Sequence, residues 1–182
     1  MSTHEVSRHR GDASAQVRVR AATSADLDTV VSMNAAMARE TEGLRLDLDR
    51  LRAGVAAALS DPAKARYFLA YATAPRGGER PPALGQLMLT TEWSDWRAAT
   101  FWWIQSVYVR PAARRQGVYR ALYEHVLAAA RARREADPDH AVCGVRLYVH
   151  HHNAPARATY EALGMARAPY GLFEVDFAIT RS

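Results

Sequence analysis

The segment QSVYVRPAARRQGVYRALYEHVL holds the residues best suited to chemistry. An apolar run ends at Arg110-Pro111, a basic stretch follows, and Gly117 stands where a helical pattern must begin. The N–H groups that open a helix have no intrahelical partner, and the helix dipole adds partial positive charge there. Gly117 lets the main chain approach a ligand closely. Arg114, Arg115 and Arg120 can add charge-assisted contacts. Together they read as an anion cradle for a phosphate or diphosphate. One exposed dipole contact contributes only about 0.3–1 kcal/mol, so several amides and arginines must act together.

Other reactive side chains point to less. His150, His151 and His152 are consecutive, and neighbours on a strand alternate in direction, so three adjacent imidazoles do not converge on one ion. No Cys, Asp or Glu stands at zinc-ligand spacing from them, and no metal is expected. Cys143 is the single cysteine and lies in no Cys-His-Asn arrangement, so covalent catalysis is not expected. An intramolecular disulfide is excluded, which fits a reducing cytoplasm.

The elements that must position the cradle follow from periodicity. VRVRAAT, from Val17, alternates as a first strand. Thr23 or Ser24 can cap a helix carrying Leu27, Val30, Val31, Asn34 and Met37, which ends near Gly43. A second helix starts around Asp47 and closes at Asp61-Pro62. YFLAYAT is a short buried strand, APRGGERPPA a hairpin loop, and ALGQLMLTTEW and ATFWWIQSVYV two further strands. From Gly117 a long helix runs to about Arg134. AVCGVRLYVH is the next strand, NAPARATYEALG a short helix ending at Gly164, and GLFEVDFAI a last strand. The order β-α-α-β-β-β-α-β-α-β implies one mixed α/β layer structure with a strand–helix–strand crossover at its centre.

The chain has 182 residues, enough for one domain and a short tail. Residues 1–15 are polar, lack the apolar core of a signal peptide and are expected to be a disordered tail, with the domain over 16–182. No run nears the roughly 20 apolar residues that span a bilayer, so no membrane role is expected. Lys plus Arg total 24 against 19 Asp plus Glu, a net charge of +5, and Lys64 is the lone lysine. Arg favours planar contacts with phosphate and carboxylate, which suits a polyanion or a phosphorylated cofactor without choosing between them.

The run Arg114-Arg115-Gln116-Gly117-Val118-Tyr119 resembles the acetyl-CoA signature R/Q-x-x-G-x-G/A of the N-acetyltransferase superfamily known as GNAT. The first and fourth positions match. Tyr119 stands at the sixth, where a small residue is usual, so its ring must point away from the pyrophosphate or the loop must shift. Downstream, HNAPARATYEALGM is similar to the family's N-x-x-A-x-x-x-Y-x-x-x-G-F/M, with Asn153, Ala156, Tyr160 and Gly164 in place. The resemblance covers about residues 17 to 178. It implies an α/β fold of GNAT type: a mixed, strongly twisted sheet with splayed central parallel strands and helices on both faces. It implies acetyl-CoA (CoA) as cofactor, its pantetheine pairing with the main chain of Val107, Tyr108 and Val109. Arg114, Arg115, Gln116, Gly117, Val118, Tyr119 and Arg120 would take the pyrophosphate, with Asn153, Ala156 and Tyr160 completing the site.

The implied reaction moves acetyl from acetyl-CoA to a primary amine by direct attack. A lysine-like amine has a pKa of about 10.4, so only about one in a few thousand is neutral at pH 7. A base or a dry site must offset that deficit, and the leaving thiolate benefits from an acid. By resemblance Tyr160 is the general acid. Glu92, ending QLMLTTE, stands where related enzymes place a base or a bound water; its alternative is a solvated turn carboxylate. Gln105 and Ser106 could hold a catalytic water. Glu40, Glu42, Trp93 and Gln105 are candidates for the acceptor pocket, an aromatic face suiting a cation. Trp102 and Trp103 fall on opposite sheet faces.

Two other readings stay open: an inactive acyl-CoA sensor on the same fold, and a basic nucleic-acid binder. Against the second, Arg131, Arg133 and Arg134 gather at a helix C-terminus, where the dipole alone favours them, and no nucleic-acid motif is present. The resemblance implies a small-molecule or peptide amine as acceptor, and the sheet-edge strands make a homodimer reasonable.

Overall fold

The computed structural model describes residues 17–73, 81–138, 141–150 and 152–177. The expected N-terminal tail and most of the APRGGERPPA loop lie outside them. The chain packs as two compact units divided between Tyr148 and Val149.

In the first unit β1 (Val17–Ala21) leads to α1 (Leu27–Glu42) and α2 (Leu48–Ser60). The entry to α1 is a capping box: Thr23 N–H donates to Asp26 Oδ2 at 2.8 Å. Arg20 grips the same buried carboxylate with two bonds of 2.8 Å. That guanidinium holds the Asp26 carboxyl well below the usual carboxylate range. Gly43, at φ +67°, ends α1 in the left-handed conformation that a helix C-cap favours. Asp47 caps α2 by accepting from the N–H groups of Asp49 and Arg50.

Next come β2 (Arg66–Ala72), β3 (Ala83–Ser94), β4 (Ala99–Val109), α3 (Val118–Ala136) and β5 (Val142–Leu147). The sheet order is β1-β2-β3-β4-β5. The first three pairings are antiparallel, and β4 with β5 is parallel across the α3 crossover. Alternation along β2 divides the core. Tyr67 and Leu69 join Val30, Met33, Val55 and Tyr108 under α1 and α2. Phe68 points the other way, its ring 5.1 Å from that of His125 on α3. Helices therefore cover both faces, each held by apolar burial. A buried polar chain fixes α1 on its face: Gln86 Nε2 donates to Asn34 Oδ1 at 2.5 Å, and Asn34 Nδ2 to the Tyr67 hydroxyl at 3.1 Å.

The second unit contains α4 (Ala154–Ala162). Asn153 is its N-cap, accepting from Ala156 N–H at 3.1 Å, and Gly164 follows its end at φ +85°. The expected strand GLFEVDFAI is corrected here. Its described part, residues 171–177, carries no strand, and Phe173 and Phe177 are 98% and 97% exposed. A strand satisfies its main chain only through a neighbour, and no described strand pairs with this one. The strand expected over AVCGVRLYVH also stops early, at Leu147.

Candidate active site

Parallel pairing of β4 with β5 runs from Thr100↔Val142 to Ile104↔Leu147 and stops. β4 continues to Val109, still paired to β3. Arg110 N–H donates to the Leu84 carbonyl at 2.9 Å, toward β3. By the period of two, the N–H and C=O of Val107 and Val109 then face the opposite edge, which no described strand covers. β5 ends at Leu147, so β4 runs on beyond it, and this edge is where the family resemblance put the pantetheine. Just before it, Gln105 is an extra residue between the pairs Met88↔Ser106 and Leu89↔Ile104. Such a bulge bends a strand and re-aims its groups. The Gln105 side chain donates to Thr90 Oγ1 at 2.8 Å.

The edge leads directly into the cradle. Arg110 ties the exit of β4 to β3 through Nε to the Ala83 carbonyl at 2.8 Å. A 3₁₀ turn over Pro111–Ala113 follows, and Gln116 Nε2 donates back to the Ala112 carbonyl at 2.8 Å. Arg115 and Gly117 both have positive φ, +63° and +78°. Gly117 is the N-cap of α3 and offers no capping side chain, so the opening N–H groups, those of Gly117 and Val118 among them, have no side-chain cap. Nothing lies within 4 Å of where a Gly117 Cβ would sit, so the main chain there is open to a ligand. Val118 is buried, and its Cγ1 is 3.0 Å from the Cβ that Gly85 lacks, which seats the start of α3 on β3. The Tyr119 ring stacks on Tyr123 one turn along α3, centroids 6.0 Å apart.

Arg114 behaves otherwise than a free phosphate ligand. Its guanidinium pairs with Glu40 at the end of α1, and its Nε donates to the Val109 carbonyl at 3.1 Å. Glu40 also accepts from the Tyr108 hydroxyl at 2.6 Å. That bond, then Arg114, lowers the Glu40 pKa, while burial and Glu40 raise that of Tyr108. Arg115, Arg120 and Glu42 are exposed.

The residues expected to serve the acceptor do not gather in one place. Glu92 and Gln105 share one sheet face. Trp93 lies on the other, because adjacent strand residues alternate, and is 59% exposed. The tryptophan that meets Glu92 is Trp103, whose indole N–H donates to the carboxylate. Arg146 pairs with Glu92 at 3.2 Å and lies over the Phe101 ring at 3.5 Å. Trp103 stacks on Tyr148 at 4.5 Å. Trp103 and Arg146 were missed as partners of Glu92. The available signal was a lone charge in the apolar run VCGVRLYV. Glu40, by contrast, sits beside the cradle. In the second unit, burial raises the Tyr160 phenol, and Asn153 and Ala156 are bonded to each other as cap and capped amide. His150 and His152 rings are 5.4 Å apart, and no group of three metal-ligating side chains occurs among the described residues. No described helix is long and apolar enough to cross a membrane.

The model of the acetyltransferase (GNAT) family matches residues 33–165. A possible acetyltransferase from Clostridium difficile 630 is 37% identical, with 90% of this chain and 99% of that one covered at a TM-score of 0.75. Two more distant structures share the fold. One is a ribosomal-protein-alanine N-acetyltransferase from Brucella melitensis biovar Abortus 2308 (16% identity, 89% and 100% covered, TM-score 0.65). The other is an aminoglycoside N-acetyltransferase in complex with CoA (14%, 90% and 96%, 0.67). No curated protein sequence matches the chain significantly.

Proposed function

The chain belongs to the GNAT acetyltransferase family, and from that premise we propose that it transfers acetyl from acetyl-CoA to a primary amine. The observation that carries this reading is the edge of β4 at Val107 and Val109, which no described strand covers and where the Val109 carbonyl takes only a side-chain bond from Arg114, running straight into an uncapped helix N-terminus at Gly117. The residues fit the cofactor. The edge offers main-chain donors and acceptors to a pantetheine amide, and the turn offers N–H groups and positive charge to a diphosphate. Bound acetyl-CoA supplies an activated thioester.

The chain's own residues would then do three things. Val107 and Gly117 bind and orient through main-chain groups. Glu92, on the face it shares with Gln105, accepts the proton that the amine loses; Trp103 and Arg146 fix its carboxylate in place. Tyr160 donates a proton to the leaving thiolate; a phenol with its ordinary pKa of about 10 carries that proton at neutral pH. The aromatic surface of Trp103 and Tyr148 beside Glu92 suits a cationic acceptor. The lone Cys143 suits a reducing compartment, and the reading includes a cytoplasmic location.

A panel of amines, with thiol release from acetyl-CoA followed over time, tests the reading. Acetylated product with at least one amine is expected. CoA binding without release across amino acids, polyamines, amino sugars and peptide termini would favour an acyl-CoA sensor instead.

A further inference from the structure

A cavity of about 300 Å³ opens on the α3 side of the sheet, lined by Arg66, Thr91, Thr100, Trp102, Arg133 and Val142. Its residues come from β2, β3, β4, β5 and α3. Trp102 and Thr100 precede the bulge on β4, while the main-chain edge assigned to the cofactor follows it. Trp102 and Val109 are seven positions apart, roughly 23 Å along an extended strand. The cavity is thus a separate place from the turn at Gly117.

Arg66 is the unusual member. It is half-buried, with its guanidinium 4.3 Å from the centre of the Trp102 ring. No carboxylate among the described residues pairs with it. The nearest charge lining the cavity is another cation, Arg133, which is exposed and holds Asp137 at 3.0 Å. Arg133 has Asp137 for a counter-charge, so the partly desolvated charge left without one is that of Arg66, which an anion in the cavity would offset. Burial, then Arg133, lowers the Arg66 pKa, as expected of a cation lacking a counter-charge. Thr91 and Thr100 add hydroxyl donors. A guanidinium over an aromatic ring keeps its in-plane N–H groups clear of the ring, ready for a planar anion.

We propose that this cavity binds a small anion, a carboxylate or a phosphate, clamped between Arg66 and Arg133 with Thr91 and Thr100 as further donors. The volume is at the small end of ligand pockets, so the ligand is a compact acid rather than a nucleotide. The site does not depend on the acetyl-transfer reading.

Thermal unfolding and calorimetry of the full chain test it, with inorganic phosphate and succinate in separate arms against chloride at matched ionic strength. Arg66→Gln and Arg133→Gln are compared with the wild-type chain. At least one anion is expected to raise the wild-type Tm saturably. Either substitution should weaken that binding roughly ten- to hundredfold. In chloride alone, Arg66→Gln should be as stable as wild type or more so, since it removes an unpaired cation. Response to only one arm identifies the ligand's acid group. An anion at the α3 N-terminus would raise the Tm of wild type and both variants alike, and that result overturns the proposal. So does a wild-type response no greater than that to chloride.

Discussion

Arg114 and Glu40 form an ion pair that carries the Arg114 Nε to 3.1 Å from the Val109 carbonyl oxygen. The first residue of the cofactor signature is thus folded toward α1, capping an acceptor on the very edge where pantetheine is proposed to pair. The pair is half-exposed, so it exchanges easily with a ligand. In the proposed reading, the grip on a diphosphate then rests first on main-chain N–H groups.

Glu40→Gln removes the carboxylate that neutralises Arg114 and keeps a side-chain acceptor for the Tyr108 hydroxyl. CoA is expected to bind about two- to fivefold tighter by calorimetry. The gain should shrink as salt is raised. Weaker binding would mean that Glu40 supports the cofactor rather than competing with it.

Gly85→Ala would place a Cβ 2.8 Å from the Tyr108 carbonyl oxygen and 3.0 Å from Val118 Cγ1. Main chain cannot yield there as a flexible side chain would, so stability should fall by about 1–3 kcal/mol in urea unfolding. CoA affinity should fall with it, because Val118 seats the helix start. Full affinity in the variant would show that the turn is fixed from elsewhere.

Glu92→Gln and Tyr160→Phe separate binding from chemistry. Each is expected to lower kcat by about a hundredfold or more while leaving calorimetric CoA affinity unchanged. Glu92→Gln with full kcat would leave that carboxylate only the task of holding Arg146 and Trp103. Tyr160→Phe with full kcat would pass the proton donation to water.

Asp26 gives the fold an acid-sensitive joint. Its folded pKa is depressed, first by the Arg20 hydrogen bonds. Stabilisation from such a group is complete above the unfolded pKa of about 3.9 and is lost as pH falls from there toward the folded value. Asp26→Asn should therefore cost about 2–3 kcal/mol at neutral pH and converge with wild type in strong acid. Urea unfolding at a series of pH values reads this directly. A constant gap at all pH values would contradict it.

Local punctuation made much of this fold legible. Gly43, Asp47, Gly117, Asn153 and Gly164 mark helix ends by conformational needs that sequence alone states. The alternation of ATFWWIQSVYV places Trp102 and Trp103 on opposite faces, as observed. What stayed hidden depends on pairing between distant segments. The bulge at Gln105 exists only against β3. The pairing of Arg114 with Glu40 joins residues 74 positions apart. Arg146 meets Glu92 only because β5 lies parallel to β4. GLFEVDFAI alternates well, yet alternation does not supply a neighbouring strand.

The most direct measurement is an amide chemical-shift titration of the isotope-labelled chain with CoA. The main-chain N–H signals of Gln116, Gly117 and Val118 are expected to move most, followed by that of Val107, saturating together. CoA that saturates while those amides stay still would contradict a main-chain grip on the diphosphate.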